Sequence, residues 1–198
     1  MIAYRLVDYN KGSAFSNGKC LNPERRPRKN GNTAELIRAF SEAAQADSHV
    51  VQEFHLQGMT IHGCLSCHQC GKAGKDCVQT DDMEKIYPAF RESQVIVFAS
   101  PIYFASITGT LKTAIDRLFA LWQTLPQAEL TNKKSALLLT ANQPTWCQTP
   151  VTWYHELFTQ AMGWEDLGVV YGHGSLYGAG KADDPASVAA AAAIGHSI

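Results

Sequence analysis

Two short runs, Val95-Ile96-Val97-Phe98-Ala99 and Ala136-Leu137-Leu138-Leu139-Thr140, stay apolar almost to their last residue. A strand with one wet face alternates polar and apolar side chains, so unbroken runs of this length suit strands covered on both faces, as in a parallel sheet flanked by helices. Placed within Gln94–Ala99 and Ser135–Thr140, they are the third and fourth of five candidate strands, the others being Ile2–Val7, His49–Phe54 and Leu167–Tyr171. Helical patterns lie between them. The first begins near Asn32, where Asn32 and Glu35 have capping-box spacing, and runs through Ala34–Ala44. A second runs from near Asp81, with Glu84 three residues on, to about Arg91. A third aligns Ile107, Leu111, Ile115, Leu118 and Phe119 on one face. Val151–Met162 and the alanine-rich Pro185–Ile194 complete the set. Strands alternating with helices predict a doubly wound α/β fold. At 198 residues, with no linker and no repeat, the chain reads as one domain over 1–198. Its main irregularity is the polar stretch 10–26, a long loop or arm.

The bulk numbers narrow the function. Lys and Arg total 17 against 18 Asp and Glu, which argues against nucleic acid as the main partner. No apolar run approaches the ~20 residues of a membrane span, and Met1–Asp8 is too short and too charged for a signal peptide, so the expectation is a cytoplasmic protein with no membrane partner. In a reducing compartment clustered cysteines are more often metal ligands or redox groups than disulfides.

Four of the six cysteines, Cys64, Cys67, Cys70 and Cys77, fall in the pattern C-x2-C-x2-C-x6-C. A [4Fe–4S] cluster is held by four thiolates, three of which commonly come from one tight run. Structural zinc favours two separated pairs, which this spacing does not resemble, although His62 and His68 lie nearby. Metal-free reduced thiols are the remaining reading. Cys20 and Cys147 stand apart and read as small buried or loop thiols.

Two further segments carry candidate chemistry. The stretch Arg26-Pro27-Arg28-Lys29-Asn30-Gly31-Asn32-Thr33 runs straight into a helix, whose N-terminus presents N–H groups and partial positive charge suited to phosphate. Taken alone it is also an ordinary capped helix after a basic turn. Ser100–Gly109 follows the third strand, and ligands of open α/β sheets bind at such carboxyl ends. There Tyr103 and Phe104 offer flat apolar surface to a ring, or simply pack inward.

The string Pro27-Arg28-Lys29-Asn30-Gly31-Asn32-Thr33 resembles the flavin-phosphate loop of the NADPH-dependent FMN reductase family, within the flavodoxin-like superfamily. Ser100–Phe104, continued by Ile107-Thr108-Gly109, Leu111-Lys112 and Asp116-Arg117, resembles that family's second flavin loop and the helix after it. The cysteine block ahead of Asp81-Asp82-Met83 resembles the iron–sulfur flavoprotein subgroup. One departure is visible: where the family runs its first strand into the phosphate loop, this chain has Glu24-Arg25-Arg26.

The resemblance implies a flavodoxin-like three-layer fold with a five-stranded parallel sheet in the order 2-1-3-4-5. It implies FMN, with its phosphate at Arg28, Asn30, Asn32 and Thr33 and its ring against Pro101, Ile102, Tyr103 and Phe104. A third flavin-side loop would be Thr140–Pro144, including Ala141 and Asn142, with Trp146 as a lid. NAD(P)H would supply hydride, and a quinone, nitro or azo compound or free flavin would accept it. Tyr103 is the candidate gate or proton donor. The alternative is an electron carrier whose [4Fe–4S] cluster, on Cys64, Cys67, Cys70 and Cys77, serves a ferredoxin-like partner. A third reading is a flavin-free thiol or metal redox sensor. The family also implies a homodimer or homotetramer.

Overall fold

The computed structural model describes the backbone of residues 3–8 and residues 31–142, 148–173 and 184–198. Five strands, β1 (Ala3–Asp8), β2 (Val50–His55), β3 (Val95–Pro101), β4 (Lys134–Ala141) and β5 (Glu165–His173), form one sheet in the order β2-β1-β3-β4-β5. The helices are α1 (Asn32–Ala46), α2 (Met83–Glu92), α3 (Gly109–Arg117), α4 (Phe119–Thr124), α5 (Gln127–Thr131), α6 (Gln148–Tyr154) and α7 (Pro185–His196).

The centre of the sheet behaves as the apolar runs require. β3, β4 and β5 are parallel neighbours, and six consecutive residues are buried in β3 and again in β4. Alternate residues serve opposite layers. Val95, Val97, Ala99, Ala136 and Leu138 face α1 and α7, while Ile96, Phe98, Leu137 and Leu139 face the layer holding α2, α3 and α6. On the first face the helices approach closely because Gly195 has no side chain: a Cβ there would stand 2.3 Å from the Phe40 carbonyl oxygen.

The sheet is not all-parallel, which corrects the expectation from the family resemblance. β1 runs antiparallel to both neighbours, pairing Ala3 with His55 and Ala99, and Val7 with Val51 and Val95. A βα unit fixes a strand's direction by leading its carboxyl end into the next helix. Here residues 9–31 separate Asp8 from α1, so that constraint is lifted, and an antiparallel ladder satisfies the same backbone groups.

Helix ends also differ from the reading of the sequence. Gly31, not Asn32, is the N-cap of α1, in extended conformation and without a side-chain cap bond. The third helical pattern divides at Leu118, whose N–H is shared between the Ala114 and Ile115 carbonyls. The fourth leaves α-geometry at His155 and continues to Ala161 as a π-helix, with Met162 N–H bonded to the Leu157 carbonyl. No described helix is long and apolar enough to cross a membrane. The 10–26 segment, Cys20 and Cys147 lie outside the described residues.

Candidate functional site

The carboxyl ends of β3 and β4 gather two of the predicted segments. Thr33, in the first turn of α1, is buried, and its hydroxyl lies 2.5 Å from that of Thr140 near the end of β4. The Thr140 carbonyl in turn accepts from Ile102 N–H at 2.8 Å, just beyond β3. The start of α1 and the Ser100–Gly109 loop are thus both fastened to one residue. Gly31 brings no side-chain cap of its own to α1, and the N–H groups of the helix's first turn carry the partial positive charge that draws an anion.

The loop after β3 is built to expose its aromatics. Ser100, fully buried, accepts from Thr108 N–H at 3.0 Å, and Thr108 caps α3 by accepting from Leu111 N–H. Ile102 and Ile107 turn into the core, so Ile102 presents no side-chain surface to a ligand. Between them Tyr103 and Ser106 exchange N–H···O bonds of 2.9 and 3.1 Å across a two-residue turn. Phe104 and Ala105 occupy that turn with φ of 49° and 61°, a left-handed pair normally given to Gly or Asn. The outcome is a 60% exposed Tyr103 and a 99% exposed Phe104. Pro101 and Ala141 are half-buried and Asn142 is exposed at the same end of the sheet. Arg28, Asn30, residues 143–147 and therefore Trp146 lie outside the described residues.

The cysteine loop is fastened at both ends of α2. At its start and finish, Thr60 N–H donates to the Asp82 carboxylate at 2.7 Å and Asp82 N–H donates to the Thr60 carbonyl at 3.0 Å. Asp81 accepts from His62 N–H at 3.0 Å, from Met83 N–H at 3.1 Å, and from both terminal nitrogens of Arg117, the closer at 2.5 Å. Arg117 also donates to the His62 carbonyl at 2.8 Å. Burial works against the ionised Asp81 carboxylate, but these donors outweigh it and hold its pKa below the ordinary value. Burial likewise opposes the Arg117 charge, and Asp81 more than compensates. At the far end of α2, Asp76 pairs with Arg91 and accepts from Thr124 at 3.3 Å.

Between these anchors Cys64 and Cys67 are exposed, Cys70 and Cys77 half-buried. Burial raises the Cys70 pKa, and Cys77, Cys64 and Cys67 push it further up, so the other three thiols lie close enough to Cys70 for their charge to be felt there. Ser66 N–H points at the Cys64 sulfur at 3.4 Å. Ser66 and His68 are left-handed, at φ 50° and 52°. The donor set has the chemistry of an iron–sulfur site, whereas among the described residues no three His, Cys, Asp or Glu side chains are already grouped as metal ligands. The Asp81–Arg117 pair and the Asp76 anchor were not assigned roles from sequence. Their separations, 36 residues for Asp81 and Arg117, leave no local signal.

Comparison with known proteins fits this geometry. Residues 26–149 match the family of NADPH-dependent FMN reductases, and the chain belongs to that family. It is similar to an "Iron-sulfur flavoprotein" of Archaeoglobus fulgidus, 34% identical over 92 residues, covering 46% of this chain and 41% of that protein. It is also similar to "Iron-sulfur flavoprotein MJ1083" of Methanocaldococcus jannaschii, 31% identical over 91 residues, covering 46% and 47%. The matches span under half the length of these curated relatives. Among solved structures, RosB with a bound riboflavin-phosphate-derived intermediate aligns with a TM-score of 0.65 at 16% identity, covering 86% of this chain and 72% of that one. The "Trp Repressor Binding Protein from Bacillus subtilis" aligns at 0.57 and 19%, covering 85% and 94%. These two share the α/β fold.

Proposed function

We propose that the chain is an FMN-dependent NAD(P)H oxidoreductase acting on a quinone, nitro, azo or flavin acceptor in the cytoplasm, as a homo-oligomer. The observation that carries the reading is the convergence at Thr140, which joins the start of α1 to the loop that exposes Tyr103 and Phe104. FMN, when bound, supplies hydride and single-electron chemistry. Asn32 and Thr33, with Arg28 and Asn30, would hold its phosphate. Pro101, Tyr103 and Phe104, with the Ile102 backbone and with Ala141 and Asn142, would flank its ring. Tyr103, exposed beside that surface, is the group placed to gate the ring or offer a phenolic proton. The test is anaerobic purification with FMN, an absorption spectrum and NAD(P)H turnover. Flavin retained at one per chain, and lost in Thr33→Val with the fold intact, is the expected result. A chain that holds no flavin after FMN is added refutes the reading.

A second reading, an electron carrier exchanging electrons with a ferredoxin-like protein, is favoured by the doubly anchored loop and the nearness of the other three thiols to Cys70. Cys64, Cys67, Cys70 and Cys77 would hold a [4Fe–4S] cluster. Four irons and four sulfides per chain, absent in Cys67→Ser, are expected. An iron-free protein after anaerobic reconstitution excludes it.

A further inference from the structure

The cysteine loop narrows to a neck where its two ends run side by side. Thr60 N–H meets the Asp82 carboxylate, His62 N–H meets Asp81, and the Gln79 side-chain amide donates to the Gly63 carbonyl at 3.1 Å. Each pairing stands closer to the thiols along the chain than the last, and Cys64 and Cys77 come next on the two sides. Arg117 enters this neck from α3. Its guanidinium, 1% exposed, holds both sides at the middle pairing, through the His62 carbonyl and the Asp81 carboxylate. Cys77 packs against the core layer that contains Tyr87, and the Tyr87 hydroxyl donates to the Arg117 carbonyl at 3.2 Å.

The cationic end of the pair is the end that meets the thiols. Burial opposes the Arg117 charge, Asp81 and Tyr87 support it, and Cys77 adds to that support. Tyr87 feels the same cysteine: burial raises its pKa, Arg117 draws it down, and Cys77 raises it again, ahead of Asp81. Asp81 itself answers to burial and, against it, to Arg117, His62 and Met83. A further observation points toward the thiols. Arg117 Nε is buried with no hydrogen-bond partner among the described residues. A buried charged donor left unpaired is costly, and an anionic cluster on the cysteines would answer its charge.

We propose that Arg117 is a positioning residue that sets the reduction potential of a [4Fe–4S] cluster held by Cys64, Cys67, Cys70 and Cys77, its buried cation standing behind Cys77. The inference rests on the electron-carrier reading and goes beyond it, because it assigns the potential to a residue that is not a ligand. Reduction adds one electron and breaks no bond. A buried cation is screened far less than one in water, so it stabilises the reduced, more negative form. Asp81 offsets part of this from behind. The two members of one clamp therefore act on the potential with opposite sign.

The test is a redox titration of the anaerobically reconstituted full chain, with dithionite supplying the electron. It is followed by the electron paramagnetic resonance of the reduced cluster, which is distinct from that of a flavin radical. Asp81→Asn keeps an acceptor for Arg117 and removes the offsetting charge. The ratio of reduced to oxidised cluster at the wild-type midpoint should rise about threefold or more, which is about 28 mV at 59 mV per tenfold. Asp81→Leu with Arg117→Met removes both charges, and that ratio should fall by a similar factor. Lys112→Met takes a cation from the exposed side of the same helix and should change the ratio less than about twofold. A clamp that was merely structural would move the first two variants in one direction or not at all. Potentials that move together, that stay at the wild-type value, or that Lys112→Met shifts as far overturn the proposal. If the double variant loads no iron, Asp81→Asn decides alone: a rise upholds the proposal and its absence overturns it. A wild-type chain that assembles no cluster refutes the electron-carrier reading and removes the proposal with it, whereas a loaded wild type with unmoved variants refutes the proposal alone.

Discussion

Replacing Asp81 with alanine should cost more stability than any surface change in this chain. The carboxylate and the Arg117 guanidinium are 0% and 1% exposed. Removing the first leaves a buried cation whose Nε already lacks a partner, and frees the N–H groups of His62 and Met83. Breaking a buried pair from one side costs about 3–5 kcal/mol, a large share of a typical total of about 5–15 kcal/mol. With a urea slope of about 2 kcal/mol/M, the midpoint should fall by about 2 M. The double variant Asp81→Leu with Arg117→Met removes both charges and should recover most of that loss, because a buried pair is often replaceable by apolar residues of similar volume. The pH dependence has a definite sign. The Asp81 pKa is held low in the folded state, so its contribution is present above the unfolded carboxyl value near ~3.9 and is lost as pH falls below it. The gap between wild type and Asp81→Ala should therefore close in acid. A thiol reagent should also reach Cys70 and Cys77 faster in the variant, since the clamp at His62 is gone. A midpoint shift under about 0.5 M, or a double variant as weak as the single one, refutes the clamp.

Three other outcomes follow from single positions. Lys133 donates to the Phe90, Arg91 and Ser93 carbonyls at the end of α2, and burial lowers its pKa to about 8 despite Glu129. The unfolded chain keeps this proton longer, so stability should rise between about pH 8 and 10.5 by at most about 1.4 kcal/mol per unit, and urea midpoints for Lys133→Met should lose that rise. Gly195→Ala should lower stability by about 1–3 kcal/mol despite alanine's better helix propensity, because its Cβ meets the Phe40 carbonyl; a melt unchanged or raised contradicts the packing. Ala105→Gly should raise the melting temperature by relieving a left-handed alanine, worth up to about 1 kcal/mol, and a lowered melt contradicts the turn geometry.

What sequence revealed and what it hid divide along physical lines. Burial on both faces leaves a local mark, which is why the β3 and β4 runs were readable, and the i, i+4 stripe from Leu111 to Ile115 lies in α3, where both residues are buried. Strand direction leaves no such mark on six residues, so β1 could be placed beside β2 and β3 without its sense being known. Asn32 had the composition of an N-cap, yet the chain enters α1 one residue earlier through Gly31, a choice made by backbone angles. Tyr103 and Phe104 were legible as candidates, but their exposure depends on a turn whose central residues, Phe104 and Ala105, are not ones that usually signal it. Arg117 belonged to a familiar string, and only the fold shows that its charge is buried against Asp81.

α3 gives these separate observations a common frame. Its first turn is set by Thr108, which answers to Ser100 at the end of β3, and its last residue, Arg117, holds the loop that carries the cysteines. Nine residues at 1.5 Å each span about 13 Å, so one short helix fixes the distance between the exposed Tyr103 turn and the base of the thiol loop. A rigid element shared by two sites makes their spacing a property of packing rather than of loop flexibility. Buried Leu111, Ala114 and Ile115 secure that packing against the layer beneath β3, so a cavity-forming change at Leu111 should disturb the Tyr103 turn and the reactivity of Cys70 together.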